Sequence, residues 1–423
     1  MAREAKRLTA PLDREEWRPM TKRRLVILGG GFAGLRALFR LSEIDDLEIV
    51  LVDPRSTSLM KPALPEVALF GKSVEHVRFA IEPVVRRAGA RFVHARPIRV
   101  LAPERRIEFP DREDLRYDYL LITTGAMKDY DAIPGYREHG HSPCDDAEAP
   151  RLARALDQFD GGPITIGSAR SEWGRRVEGP SLAAPCEGPV GEVMFMLDEE
   201  LRHRHIRDRA SIRVFSPGRE FFEDVGPTVR AALAPEIERC GIRVTSQKSL
   251  RAIGHDHVDF EDGESWESAL TIVIPPYTGN PLVVASEALG DEKGFVPTDR
   301  RMRHLDFPEI FAAGDGTALA MPKLGHIAVH QADIAAAALE RDLTGRGEIP
   351  DYAPEIFCIM NRGRHDATLI LSNHLFGGDI DRAFSSPITR MLKWGFDTLY
   401  FHSRGHLPPD FAQRTLVELL SRA

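Results

Sequence analysis

Arg24-Leu25-Val26-Ile27-Leu28-Gly29-Gly30-Gly31-Phe32-Ala33-Gly34, followed by Leu35, Ala37, Leu38 and Leu41 at helical spacing, decides the fold. A run of strand formers ends in glycines and opens an amphipathic helix. Gly29, Gly31 and Gly34 keep the G-x-G-x-x-G spacing. The first glycine allows the tight turn, the second lets backbone N–H groups approach a pyrophosphate, and the third lets helix and strand pack closely. Phe32 and Ala33 complete this cofactor-binding turn, and the helix N-terminus behind them favours phosphate charge. Leu47-Glu48-Ile49-Val50-Leu51-Val52-Asp53 reads as a second strand, and Asp53, 24 residues after Gly29, ends it with a carboxylate suited to ribose hydroxyls.

Working outward, a loop with Pro62 and Pro65 leads to an expected helix from Val77 to Ala88 and a strand from Ala90 to Val93. The strand-like run Tyr117 to Ile122 ends in Thr123-Thr124-Gly125, and a helix after Cys144 carries Leu152, Leu156 and Phe159 on one face. A second unit starts at Pro163 to Gly167, with helices expected near Val190–Arg202 and Pro227–Cys240 and strands at Ser211–Phe215 and Ile242–Thr245. Ile310-Phe311-Ala312-Ala313-Gly314-Asp315 reads as a return to the first unit. A hairpin (Ile356 to Asn361, Ala367 to Ser372) and an amphipathic helix follow. The expected division is a polar extension over 1–22, a first domain over 23–160 resumed at 295–355, a second over 161–294, and a C-terminal region over 356–423. The fold class is α/β with two Rossmann-like dinucleotide-binding domains.

The 423 residues carry a formal charge of −8, which offers no basic excess for nucleic acid. Four cysteines are too few for a disulfide scaffold, and without a C-x-x-C pair no metal site is expected. Met1 to Arg24 lacks the apolar run of a signal peptide, and no run of 18 apolar residues occurs, so a cytoplasmic-side protein is expected. The second unit is a damaged dinucleotide site. Counting from Gly167, the second glycine position is Ala169 and the third is Glu172, and Trp173 to Pro189 interrupts the turn.

Cys186 lies in Ala184-Pro185-Cys186-Glu187-Gly188-Pro189 ahead of a helix, where the positive helix end favours thiolate and Glu187 opposes it. Cys358 lies in the apolar stretch Ile356-Phe357-Cys358-Ile359-Met360, where an inert thiol is the default expectation. Cys144 precedes a helix, and Cys240 ends one.

These segments resemble the sulfide:quinone oxidoreductases, within the FAD-dependent pyridine nucleotide-disulfide oxidoreductases, from Arg24 to about Pro409. The resemblance implies a glutathione-reductase-like fold with a C-terminal membrane-associating region. Tyr117 to Gly125 and Phe311 to Asp315 are similar to paired FAD signatures, which implicates Thr124, Gly125 and Gly314 and sets Asp315 on the ribityl or phosphate part. Lys61-Pro62-Ala63-Leu64-Pro65-Glu66 is similar to a loop packed on FAD, and Met321-Pro322-Lys323-Leu324-Gly325 to a stretch near the isoalloxazine, where Lys323 stabilises negative charge. Cys144, Cys186 and Cys358 match three family cysteines, and Cys240 has no counterpart. By resemblance, Cys186 and Cys358 form the redox pair, hydrogen sulfide attacks it, Cys358 passes electrons to the flavin, Cys144 assists sulfur handling, and a quinone accepts the electrons. Two family histidines are missing: Phe221-Phe222-Glu223-Asp224 and Glu148 stand where they are expected, so Glu223 or Asp224 must serve as base, or the step differs.

Ile388, Met391, Leu392, Phe396, Leu399 and Tyr400 recur at helical spacing, with Arg390, Lys393 and Asp397 on other faces and Trp394 and Phe401 as interfacial aromatics. A core-packed helix is one expectation. The resemblance implies the other, a helix lying in one leaflet of the cytoplasmic membrane, with homo-oligomers on its surface. Two further readings stand: a type II NADH:quinone oxidoreductase, and a non-catalytic flavin-binding redox sensor.

Overall fold

The computed structural model describes residues 22–407. Strand β1 (Arg23–Leu28) enters helix α1 (Phe32–Leu41), and β2 (Leu47–Asp53), β3 (Arg91–His94), β4 (Tyr119–Ile122) and β9 (Ile310–Ala312) complete a five-stranded parallel sheet in the order β9-β4-β1-β2-β3. Parallel strands covered on both faces read as unbroken apolar runs. Leu25, Val26, Ile27 and Leu28 of the central strand are all buried. Leu28 sits opposite Val52 on one side and Ile122 on the other. The strand ends carrying Gly29, Asp53, Thr123 and Ala313 therefore meet at one edge. Strand order reverses between β1 and β4, and ligands of such sheets bind at that switch point.

A second parallel sheet contains β5 (Gly162–Ser168), β6 (Ala210–Phe215), β7 (Arg243–Thr245) and β8 (Leu270–Ile274), with Gly140–His141 at its edge. Helix α2 (Glu148–Gln158) precedes β5, buries Ala149, Leu152 and Leu156, and ends against Phe159. Between β5 and α3 (Gly188–His203), residues 169–187 form no regular element, as the interrupted turn implies. Helix α4 (Pro227–Arg239) leads to β7. Helix α5 (Gly325–Thr344) packs on α1, where Arg36 and Asp333 form a buried bidentate pair at 2.6 and 3.0 Å. The hairpin of β10 (Ile356–Asn361) and β11 (Ala367–Ser372) forms at the expected positions, and β12 (Asp381–Ser386) adds a third antiparallel strand. Helix α6 (Pro387–His402) closes the described chain, its N-cap Ser386 accepting from the Thr389 N–H at 3.2 Å.

Two expectations need correction. The helix expected from Val77 to Ala88 spans only Glu82–Arg87: Val77 ends a 3₁₀ turn, and Arg78–Ala80 forms a strand paired with Thr57–Leu59. Pro83 favours a start at the first turn and cannot lie deeper in a helix. The second correction concerns α6, whose faces are reversed relative to a core helix. Thr389, Lys393, Asp397 and Tyr400 are buried, whereas Ile388, Met391 and Trp394 are 69, 69 and 65 % exposed.

The three turn glycines differ in what constrains them. At Gly29 (φ +110°) and Gly34 a Cβ would run into the carbonyls of Thr123 and Gly29, but at Gly31 it would meet nothing within 4 Å. Gly34→Ala should therefore destabilise the fold by roughly 2–3 kcal/mol through overpacking, and Gly31→Ala should change it by no more than ~0.5 kcal/mol. Urea unfolding of the ligand-stripped protein reads both.

Candidate active site

Three elements bring the sulfurs together. Cys186 stands just before α3, Cys358 in the middle of β10, and Cys144 before α2. The sulfurs of Cys186 and Cys358 both lie within 4 Å of where a Gly188 side chain would begin. Tyr277 lies close enough to Cys144 and to Cys186 to feel the charge of both. All four cysteines are free thiols, with Cys144, Cys186 and Cys240 buried and Cys358 partly exposed. Cys240 lies apart at the end of α4, beside Arg239 and Arg207.

Desolvation dominates every one of these thiols. Burial pushes Cys186 well up, Asp224 and Cys358 add to it, and the Gly188 N–H opposes it. The expected thiolate-favouring helix end is thus present but overruled, because removing solvent outweighs one N–H dipole. Cys358 is pushed up to about 12 by burial, with Glu192 and Asp224 adding and Lys393 opposing. Cys144 is raised by burial, against the pull of Lys128 and Lys61. Lys128 and Tyr277 face each other on a two-residue ribbon, Met127–Lys128 against Tyr277–Thr278, with the amine 5.6 Å from the ring centre.

Carboxyls surround the sulfurs. Burial raises Glu187 to about 8, Glu192 to about 7 and Asp224 to about 6. Asn361 of β10 donates to Glu192 at 2.6 Å. Of the two candidate replacements for the missing histidine, Asp224 faces the thiols, whereas Glu223 accepts from the Ala183 N–H at 3.0 Å and secures the loop. Glu148 pairs with Arg151 at 2.9 Å. Sequence reasoning missed Glu192, Lys393, Lys128 and Tyr277. Glu192 had one available signal: it lies six residues after Cys186, in the first turns of the helix that follows.

At the switch point the residues fit a dinucleotide. The open side of Gly31 leaves room for phosphate at the N-terminus of α1. Asp53 accepts from the Gly30 and Arg55 N–H groups at 2.6 and 2.7 Å, fixing its carboxylate at the strand end. Thr124 Oγ1 is buried without a hydrogen-bond partner among the described residues. Gly125 and Gly314 take φ of +68° and +85°, so the chain turns at both beside Asp315. Pro62 lies in a short 3₁₀ turn, and its carbonyl accepts from Lys393 at 3.1 Å. Lys323 is buried, donates to the Thr317 carbonyl at 3.0 Å and lies 4.4 Å from the Phe295 ring centre; burial lowers it to about 7. The second unit does not fit. A Cβ at Gly167 would enter the Phe215 ring, the Ala169 N–H is spent on the Ile274 carbonyl at 2.9 Å, and Glu172 pairs with Lys293.

Residues 23–159 match the family model of the pyridine nucleotide-disulphide oxidoreductases. The sulfide:quinone oxidoreductase of the hyperthermophilic bacterium Aquifex aeolicus superposes with a TM-score of 0.83 at 20% identity, covering 94% of this chain and 96% of that one. The chain is an oxidoreductase with the pyridine nucleotide-disulphide oxidoreductase fold. Among curated relatives, demethylphylloquinone reductase NdbB of Synechocystis is 24% identical over 77% of this chain and 81% of its own length. The mitochondrial sulfide:quinone oxidoreductase of Dictyostelium discoideum is 22% identical over 90% and 83%. An NADH dehydrogenase-like protein of Mycobacterium tuberculosis is 24% identical over 70% and 74%.

The raised Glu192 carboxyl makes stability pH-dependent. Its folded pKa of about 7 exceeds the ordinary glutamate value of 4.5, so between these values the folded state holds more proton and stability falls as pH rises. Glu192→Gln should lessen the fall in Tm between pH 5 and 7 by at least about 2 °C, as differential scanning fluorimetry across that range would read.

Proposed function

We propose that the protein oxidises sulfide at the Cys186–Cys358 pair and passes the electrons through FAD to a membrane quinone. The convergence of Cys186, Cys358 and Cys144 on one site, next to a dinucleotide cradle, carries this reading. The relatives named for sulfide and for quinone support it. The closed turn at Gly167 speaks against NADH as the donor, although some relatives are named for it.

Gly29, Gly31, Phe32, Ala33, Gly34 and Asp53 would hold the adenylate and pyrophosphate, with Pro62, Thr124, Gly125, Gly314, Asp315 and Lys323 towards the flavin. Bound FAD supplies two-electron acceptance from a thiolate and delivery to quinone. In the oxidised protein a bond links Cys186 and Cys358. Hydrosulfide breaks it, forming a new S–S bond on Cys186 and releasing Cys358 as thiolate. The proton of hydrosulfide passes to Asp224 or Glu187, whose raised pKa values bracket neutrality. Closing a new S–S bond between Cys358 and the outer sulfur on Cys186 would release two electrons, which bound FAD would accept and pass to the quinone, taken up there with two protons. Cys144, close enough to Cys186 for each to feel the other's charge, would receive or release the outer sulfur.

The exposed apolar row on α6 supports a peripheral membrane position with quinone entering beside that helix; the cytoplasmic side is proposed from the family resemblance alone. No helix among the described residues is long and apolar enough to cross a membrane. The residue division given by the sequence, with 356–423 as the membrane-facing region, follows from the same reading. Its final segment beyond 407 lies outside the described residues.

Under anaerobic conditions, sulfide should bleach the bound flavin, a soluble quinone should restore it, and NADH should do neither. Cys358→Ser should slow the bleaching at least about 100-fold, as expected when the covalent electron-donating group is lost. Bleaching by NADH alone would overturn the assignment.

A further inference from the structure

Helix α6 carries its charges inward. Lys393 is 4 % exposed although it belongs to the last described helix, and its ammonium donates to the Pro62 carbonyl at 3.1 Å and lies 3.6 Å from Asp397. The same helix packs on β10, the strand of Cys358. Arg390, one turn before, ties α6 to Glu66 at 2.6 Å. The outward face presents Ile388, Met391, Trp394 and Leu399. A helix that exposes apolar side chains and buries a lysine needs a reason for the lysine, because desolvating an ammonium is costly unless it faces negative charge.

Asp397 at 3.6 Å is the first such charge, and Glu192, Glu66 and Cys358 add to it in that order. Glu192 comes from α3, Asp224 from the loop before α4, and Lys393 with Asp397 from α6. Glu192 and Asp224 both oppose a thiolate, as does the packing around the sulfur, and Lys393 is the group that favours it. The interaction is mutual: Asp397, Glu192, Glu66 and Cys358 all favour the charged form of Lys393.

We propose that Lys393 is a positioning residue for the sulfur chemistry: its ammonium, delivered on the inner face of α6, is the counter-charge for a thiolate on Cys358, so the seating of α6 sets the reactivity of that cysteine. The inference rests on Cys358 being the reacting thiol. A leaving thiolate departs faster when its conjugate acid is stronger, and the cation acts at that sulfur. Because the cation and the apolar row share one helix, lifting the row from the protein body withdraws the charge from the sulfur.

The test uses the full-length flavin-loaded protein and needs neither sulfide turnover nor quinone. After anaerobic reduction of its cysteines and removal of the reductant, Cys358 is alkylated with a small iodoacetamide reagent from pH 7 to 11, and its modification is followed by peptide mass spectrometry. Lys393→Met, close in volume, should move the profile to higher pH and lower the rate at any pH on its rising limb about tenfold or more, since each unit of pKa is tenfold in thiolate. Lys393→Arg should stay near the wild-type profile. Lys393→Met with Asp397→Asn removes both charges and guards against misfolding around an unpaired carboxylate; it too should show the upward move. An unchanged Cys358 profile in the folded, flavin-bound double variant would overturn the proposal. If the profile moves while sulfide fails to bleach the flavin, the role of Lys393 stands and the sulfide reading falls.

Discussion

Removal of water from three sulfur atoms is the constraint on which the rest of the site depends. A thiol raised by burial is a poor nucleophile and a poor leaving group at neutral pH, so the charges placed around it decide whether chemistry occurs. Cys186 has one N–H, from Gly188, to offset burial, Asp224 and Cys358. Cys144 has Lys128 and Lys61 on its side. Cys358 has Lys393 against Glu192 and Asp224. The three sulfurs are close in space but unequal in electrostatic setting, and that inequality gives the site a direction in which sulfur and electrons can move.

The two parallel sheets perform different tasks with related topology. At the first, the reversal of strand order leaves an edge where Gly29, Asp53, Thr124 and Gly314 converge with room beside Gly31. At the second, the corresponding turn is filled by Phe215 and replaced by the irregular segment 169–187. The N-terminus of α3, which in an intact unit would face a pyrophosphate, instead lies beside Cys186. One helix end has thereby been turned from cofactor binding to holding a thiol.

Much of this was legible in the residues. Strand β1, its glycine turn, Asp53 and the return at Ile310 follow from local spacing, because backbone sterics at Gly29 and Gly34 leave no other residue. The hairpin from Ile356 was equally plain, since its apolar runs and short connection are contiguous. Illegible were features set by tertiary packing. The inward face of α6 could not be read from its apolar stripe, which looks the same whether it meets protein or lipid. Lys128 and Tyr277 meet on a ribbon only two residues wide, 149 positions apart in the chain. The strand at Arg78–Ala80 is masked in the sequence by apolar residues at helical spacing, and Pro83 is the one local mark of where the helix can begin.

The central claim is that sulfide sulfur enters at the converging cysteines. One equivalent of sulfide added anaerobically to the oxidised protein, followed by thiol blocking and peptide mass spectrometry, locates the added sulfur directly. The account requires it on Cys186, or on Cys144 after transfer, with none on Cys240. Sulfur on Cys240, or on no cysteine while the flavin is reduced, would contradict it.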